Sequence, residues 1–469
     1  MRFAGERFPG RAAQPAVVFP VMLAALFAVL PLFVFAEGAG GAFDPFGGFD
    51  DEGAALSGAG GNGITVGGAV TAGLTGYIKD IADNAGNVQA GDIVKGSLTF
   101  SAKGDSAEAF VKVNLQPVFG GSADGQNGGQ KPAVTLDEAF LSVFFGALTV
   151  DAGLRRLTWG KADNEGPLDV INPLDYADLS DIKPGEPPKI ARPLVRAVFR
   201  FGDYSKIEGV FVPWFSGQVF ADGGRWEPAQ AKALKQMAAL FGVSDIDAMK
   251  ADTVTLSWFQ AGARFSTTVS HSDIGVQYYT GYLPRPAYAV ETGPVPAITL
   301  GYNRYHQIGM DCAAEAAGFN MRAEAAVNIS GDLSGDDPSV YNPHFLWSFG
   351  FDRSLFAGIS LNLQCNQKIR LADDGVGKKP YDVEADTPVT ATRGTAELSR
   401  AFFRDTVRLS AAAVWGIEDK DLYLIPAVTF THGSAELELS GGFFLGDRNG
   451  ELGQYRDNSF VKAVMKYGF

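Results

Sequence analysis

The last ten residues alternate. Val461, Ala463, Met465, Tyr467 and Phe469 fall on one face of an extended segment, and Phe460, Lys462, Val464, Lys466 and Gly468 fall on the other. Successive side chains of a strand point to opposite faces, so one side here is apolar and the other carries two lysines. Past residue 36 no apolar run approaches the roughly 20 residues that a spanning helix needs. In hydrocarbon every backbone N–H and C=O must be paired internally, which leaves the closed barrel as the other way across. The chain is therefore either a barrel wall with lipid outside and water inside, or a soluble all-β protein.

The same alternation recurs upstream. Ala107, Ala109, Val111, Val113 and Leu115 oppose Glu108, Lys112, Asn114 and Gln116; Ile359, Leu361 and Leu363 oppose Ser360, Asn362, Gln364 and Asn366. Leu437, Leu439 and Phe443 oppose Glu436, Glu438 and Ser440, and Phe345, Trp347, Phe349 and Phe351 oppose Ser348 and Asp352. A soluble sandwich also alternates, with its polar face turned to solvent. The many strands ending in an aromatic residue favour lipid. So does the composition: 58 glycines, 35 phenylalanines and 20% charged residues suit tight turns, an apolar exterior and a wet lumen.

Period and turn residues predict strands at 64–78, 92–101, 107–118, 134–145, 148–157, 190–201, 205–215, 253–265 and 268–282. The second half continues at 297–310, 316–329, 345–354, 358–369, 395–403, 407–415, 422–431, 434–445 and 458–469. That makes about eighteen, with sixteen also compatible. Short turns alternate with longer connections at 79–91, 119–133, 158–189, 216–252, 283–296, 330–344, 370–394, 416–421 and 446–457, as in outer-membrane barrels. An even count puts both termini on the short-turn side, which in such barrels is periplasmic. Pro193, Pro213 and Pro426 count against uninterrupted strands, because each removes a ladder donor. Within 226–250, Leu234, Met237, Leu240 and Phe241 recur at helical spacing, so a short amphipathic helix is expected across the mouth or on the rim.

The remaining ends divide the chain into three. Arg2, Arg7 and Arg11 precede an apolar run from Val17 to Phe35, and Ala36 offers a small residue at a cleavage position, so 1–36 reads as a removable secretory signal. Residues 37–62, rich in Gly, Ala and Asp, read as a flexible acidic periplasmic leader. The barrel occupies 63–469. A net charge of −14 and a pI near 4.8 exclude an ordinary nucleic-acid binder. Cys312, read as near a turn, and Cys365, read as mid-strand, are expected to stay unpaired.

The most distinctive stretch is Gly153-Leu-Arg-Arg-Leu-Thr-Trp-Gly-Lys-Ala-Asp163, followed by Pro167-Leu-Asp-Val-Ile-Asn-Pro-Leu-Asp175. It resembles the W-G-x-A-D and P-L-D-V-x-N-P-x-D signature of a family of porin-like outer-membrane barrels of Gram-negative bacteria. The match is specific over about 25 residues and rests on architecture elsewhere. The resemblance implies an outer-membrane channel and names no substrate. The aromatic ending, with Tyr467 and Phe469, likewise resembles the signal that the barrel assembly machinery reads.

Charge then suggests a pore. Arg192, Arg196 and Arg200 share one face of the strand over 190–201, and Val195, Ala197, Phe199 and Phe201 take the lipid face, so the arginines point inward; Arg155 shares a face with Asp151 and Thr149. If connection 158–189 folds into the lumen, its Asp163, Glu165, Asp169 and Asp175 face these arginines and create a transverse field that selects among polar solutes. The other outcome is that the same charges pair and staple the loop to the wall.

No catalytic motif appears. There is no G-x-S-x-G, the four histidines lack metal-ligand spacing, and the oxygen-rich 328–337 fits no standard Ca²⁺ loop. The reading is a channel for small polar or anionic solutes, without cofactor or enzymatic activity. Its expected partners are outer-membrane lipids, the assembly machinery, its solutes and other copies of itself. A plugged structural or adhesion barrel is the alternative, and a barrel-embedded lipid hydrolase is a third.

Overall fold

The computed structural model describes residues 63–82, 94–116, 134–183, 185–243, 249–291 and 297–469. The expected signal and leader, and most of connections 79–91 and 119–133, lie outside the described residues. Eighteen strands form one antiparallel sheet that closes on itself. The first nine are β1 (Ile64–Tyr77), β2 (Val94–Lys103), β3 (Ala107–Leu115), β4 (Val134–Phe145), β5 (Leu148–Arg155), β6 (Arg192–Phe201), β7 (Ser205–Val212), β8 (Gln260–Val269) and β9 (Ser272–Tyr282). The rest are β10 (Arg304–Ala316), β11 (Phe319–Ser330), β12 (His344–Ser354), β13 (Ile359–Arg370), β14 (Thr390–Phe402), β15 (Val407–Gly416), β16 (Asp421–His432), β17 (Ala435–Gly446) and β18 (Phe460–Gly468). Among the described residues no helix is long and apolar enough to cross a membrane.

Closure is made by β1 and β18, paired from Ala69↔Gly468 to Tyr77↔Phe460. Past the ladder, Gly68 and Phe469 each donate an N–H to the other's carbonyl at 3.0 Å, so the terminal residue is part of the seam. No strand edge is left for hydrocarbon to strand unpaired. The outer face is apolar: Val66, Val70, Leu74, Leu439, Val461, Met465 and Tyr467 are all 45% or more exposed. Phe199 stacks on Phe201, and Phe201 on Phe265, in an aromatic patch toward the short-turn end. These features define a transmembrane antiparallel barrel.

The strand count is as expected, but some boundaries move. The ladder of β8 begins at Gln260 and runs to Val269↔Ser272, with the turn at Ser270-His271. Residues 256–258 instead form a 3₁₀ turn that brings Trp258 against Tyr282, ring centroids 4.5 Å apart. Residues 297–301 leave the wall and pair with Ala287–Glu291 in a separate hairpin of the long connection. As a result β10 runs through Ala316, and Cys312 lies in mid-strand opposite Ala323 rather than near a turn. Asp311, which falls between the expected strands 297–310 and 316–329, is an inward side chain of β10 paired with Arg264 at 2.7 Å. Both cysteines are unpaired.

The prolines are accommodated locally. Pro213 falls just past the end of β7, and the β16–β17 ladder skips Ile425 and Pro426. Residues Ala229–Leu240 form the expected helix, with Ala238 buried and Leu240 87% exposed. It sits at the long-loop end, where the Ala229 N–H donates to Gln454 Oε1 at 2.7 Å. The register makes a clear forecast. Leu439→Arg places a charge on the lipid face at a cost of ~2–4 kcal/mol and should abolish the heat-modifiable folded band on a gel. Lys462→Ala should retain it, and equal behaviour of the two would refute the assigned faces.

Which end faces out is testable on intact cells. Lys378 lies exposed in the long connection after β13, and Asp203 in the short turn after β6. With the termini periplasmic, Lys378→Cys should react with an impermeant thiol reagent and Asp203→Cys should not. The opposite labelling pattern would invert the topology.

Candidate functional site

Between β5 and β6 the chain turns into the barrel and stays there. An apolar set drives this. Leu157, Trp159 and Ile171 bury against inward-facing Leu194 of β6, Val210 and Val212 of β7, Tyr279 of β9 and Tyr305 of β10. Leu168 is fully buried. Burial of this kind contributes about 1.5–3 kcal/mol per large apolar side chain. The inner wall is therefore not polar throughout as the alternation implied: inward-facing Leu194 of β6 is covered by the loop and not by water, and Val198 is buried on the same face. Gly309 on β10 leaves the socket for Leu168, since a Cβ there would lie 2.3 Å from Leu168 Cδ2.

A wall carboxylate then clamps the loop. Glu324 of β11 accepts backbone N–H bonds from Lys161, from Ala162 at 2.7 Å and from Leu168 at 3.2 Å. Gly160, at φ +97°, lets the chain curl around that carboxylate; a Cβ would sit 2.3 Å from Oε1. Three otherwise orphaned loop donors are thus met by the two oxygens of one buried carboxyl group. On the same loop Trp159 Nε1 donates to Glu208 Oε1 of β7 at 2.6 Å.

The neck of the loop is closed by Asn172. Its Oδ1 accepts the Leu157 N–H at 2.7 Å, and its Nδ2 donates to the carbonyls of Ile190 at 2.8 Å and Arg155 at 3.2 Å. Asp169 pairs with Lys189 at 2.7 Å across the same neck. Arg156 ties the start of the loop to Asp137 and, at 3.2 Å, to Glu138. A bulge between Lys112 and Val113 of the β3–β4 ladder turns these two successive acids to the same side.

From there the loop crosses the lumen. Asp163 pairs with Arg322 of β11 at 2.5 Å and accepts from Asn362 of β13 at 2.8 Å. Gln364 Oε1 of β13 accepts the N–H groups of Asp163 at 3.0 Å and Asn164 at 3.2 Å, and Asn366 donates to the Glu165 carbonyl at 2.7 Å. Tyr176 donates to the Glu165 carboxylate. Asp175 accepts from its neighbour Ala177 at 2.9 Å. The returning half meets the remaining wall, where Asp181 pairs with Lys95 of β2 at 2.9 Å and with Lys462 of β18, and Lys183 with Glu438 of β17 at 2.6 Å.

The expected arginines all lie on the inner wall, and three of them find partners on the wall while Arg192 bonds to the connection after β7. Arg155 reaches Asp151 at 2.8 Å, and Arg196 reaches Asp151 at 3.3 Å and Glu208 at 2.9 Å. Arg192 is buried and donates to Ser216; Arg200 is exposed and donates to Thr149 Oγ1 at 3.2 Å. No ion pair joins these four to Asp163, Glu165, Asp169 or Asp175 among the described residues. Sequence reasoning missed Trp159, Leu168 and Asn172 as anchors although all three stand in the motif, and it missed Glu324, which no local signal distinguishes from other strand acids.

Two solvated regions remain beside the loop tip. On its short-turn side, Asp352, Ser360, Asn362, Glu397 and Ser399 line a hollow of about 250 Å³. On its long-loop side, Glu451 bridges Arg393 of β14 at 2.7 Å and Arg285 at 2.9 Å while its side chain stays 47% exposed. First Arg393 and then Arg285 hold the Glu451 carboxyl down to about 2, against the opposing effect of desolvation. No group of side chains suited to a metal occurs among the described residues.

No protein-family model matches the sequence, and no curated protein matches it. Solved structures of outer-membrane barrels resemble the chain in layout. OccAB4 of Acinetobacter baumannii is 9% identical at a TM-score of 0.49, with 87% of this chain and 98% of that one covered. The outer membrane channel DcaP of the same organism is 12% identical at 0.43, covering 87% and 97%. Wzi of Escherichia coli, a carbohydrate-binding barrel involved in group 1 capsule assembly, is 10% identical at 0.45, covering 86% and 84%. The fold assignment stands on the strand topology itself.

The clamp generates its own test. Glu324→Ala leaves three loop donors without their acceptor, at about 1–3 kcal/mol for each buried group left unsatisfied. Gly309→Val should evict Leu168 with a similar outcome. Both variants should keep the folded barrel band yet expose Lys161 and Lys183 to trypsin in detergent. Wild-type resistance in both would show that the loop is held elsewhere.

Proposed function

We propose that the protein is a channel in the outer membrane of a Gram-negative envelope, passing small polar and anionic solutes through a charged constriction. The carrying observation is the loop clamped across a closed barrel with solvent-accessible charged side chains on either side of its tip. Loops that narrow a lumen in this way set both the width and the field that a solute meets. Arg155, Arg192, Arg196 and Arg200 outnumber Asp151 and Glu208 on their stretch of wall, which is therefore positive. Asp163, Glu165, Asp169 and Asp175 make the loop acidic. The field between them orients dipolar solutes and favours one sign of charge. The arginines stay charged throughout physiological pH, so the preference does not titrate away.

One observation favours a second reading. The loop bonds to strands from β2 to β18, as a plug does, and a plugged barrel would serve in structure or adhesion. Planar-bilayer recording of purified protein separates the two: steady open steps support the channel, and silence supports the plug. In a salt gradient Arg196→Ala should shift the reversal potential toward weaker anion preference, and the shift should shrink at high salt as screening sets in. An unchanged reversal potential would make the arginines staples of the wall.

A further inference from the structure

The β13–β14 wall is where the solvated regions meet. Along the inward face of β13, Ser360 and Asn362 line the lower hollow, Gln364 and Asn366 hold the loop tip, and Lys368 lies beyond it. Along β14 the corresponding positions are Ser399 and Glu397, then Thr395 bonded to Asn164 Nδ2 at 3.3 Å, then Arg393 opposite Asn366. The tip at Asn164–Glu165 thus separates two wet regions on a single stretch of wall. On the β5–β6 side, by contrast, Arg192 is buried and Arg196 is paired with two acids.

The long-loop region has an unusual set of charges. The Lys368 side chain is exposed and makes no hydrogen bond or ion pair among the described residues. Arg285 and Arg393 share the single carboxylate of Glu451, and remain 49% and 33% exposed. A guanidinium has five donors, so both keep donors free for another oxygen acceptor. Facing them are Glu451 and, from the loop tip, Glu165, whose carboxylate already takes the Tyr176 hydroxyl. Asp421, farther up β16, is occupied by the N–H groups of Leu452 at 2.6 Å and Gly453 at 3.0 Å. Glu384 also acts on Lys368, and Asp419 and Asp421 act on Arg393, so what the region offers an anion is unfilled donors and not net positive charge.

We propose that Lys368, Arg393 and Arg285 form a docking station for small carboxylate-bearing anions just above the Asn164–Glu165 tip, with the Glu451 carboxylate as its tethered occupant. An arriving carboxylate makes the contacts that Glu451 makes now and adds the Lys368 ammonium. Glu451 competes with it, which keeps binding weak enough for release toward the tip and the lower hollow. Passage then runs along β13–β14, opposite the paired arginines of β5–β6. The station deepens the channel reading and rests on it.

Succinate is the probe. Added on the long-loop side of a bilayer in KCl, it should block the single-channel current reversibly. Lys368→Met and Arg393→Met should each raise the half-blocking concentration about fivefold, the worth of one partly exposed charge contact, and Glu451→Gln should lower it comparably. A conducting wild type that succinate does not block, or block that is indifferent to Lys368→Met, overturns the station and leaves the channel standing. Calorimetric titration of the detergent-purified barrel with succinate keeps the two ideas apart. Binding that Lys368→Met weakens, in a barrel that conducts nothing, would retain the station and sink the channel; absence of binding would sink the station.

Discussion

Everything here depends on the requirement that a backbone inside hydrocarbon satisfies its own hydrogen bonds. Eighteen strands meet it by closing β1 onto β18, with Gly68 and Phe469 completing the seam. Closure fixes the parity of each strand. Once Tyr467 and Met465 face lipid, Lys462 must face inward, and it is there to hold Asp181. The lumen is thus a consequence of the seam, and so is the surface on which the inward loop settles.

That surface solves a second polar problem. A loop taken out of bulk water loses the partners of its N–H and C=O groups, and each one left unmet costs about as much as a lost hydrogen bond. The wall supplies replacements in kind: Glu324 for three donors, Gln364 for two more, and Asn366 for the Glu165 carbonyl. Apolar burial of Trp159, Leu168 and Ile171 then makes the docked position favourable rather than merely tolerated. The two kinds of interaction divide the lumen. The upper part of the β6–β10 side is filled by this apolar packing, while Arg200 below it and the β12–β14 side keep exposed charges.

Much of this was legible in the chain. Period-2 alternation and short turns such as Gly146-Ala147 and Gly202-Asp203 mark the wall, because both are local consequences of strand geometry. The misplaced turns at β8 and β10 arose where polar residues inside a strand, Ser266-Thr267 and Asp311, imitate a turn. Asp311 and Asp273 are inward partners of Arg264 and Lys161, and nothing nearby in the sequence reveals a partner that distant. The inward direction of Arg192, Arg196 and Arg200 followed from parity; their partners did not.

The sequence by itself determined that any spanning form is a closed wall with a wet interior, since alternation, the lack of an apolar helix-length run past residue 36 and the need for internal backbone pairing admit no other. It also marked the segment from Trp159 to Asp175 as special. Only the tertiary structure decided what that segment does. Glu324 lies more than 150 residues from the N–H groups it binds, and Gly309 shapes a socket for Leu168 from another strand. Such pairings depend on how many strands separate two residues around the barrel, a quantity set by closure and register and written in no local pattern.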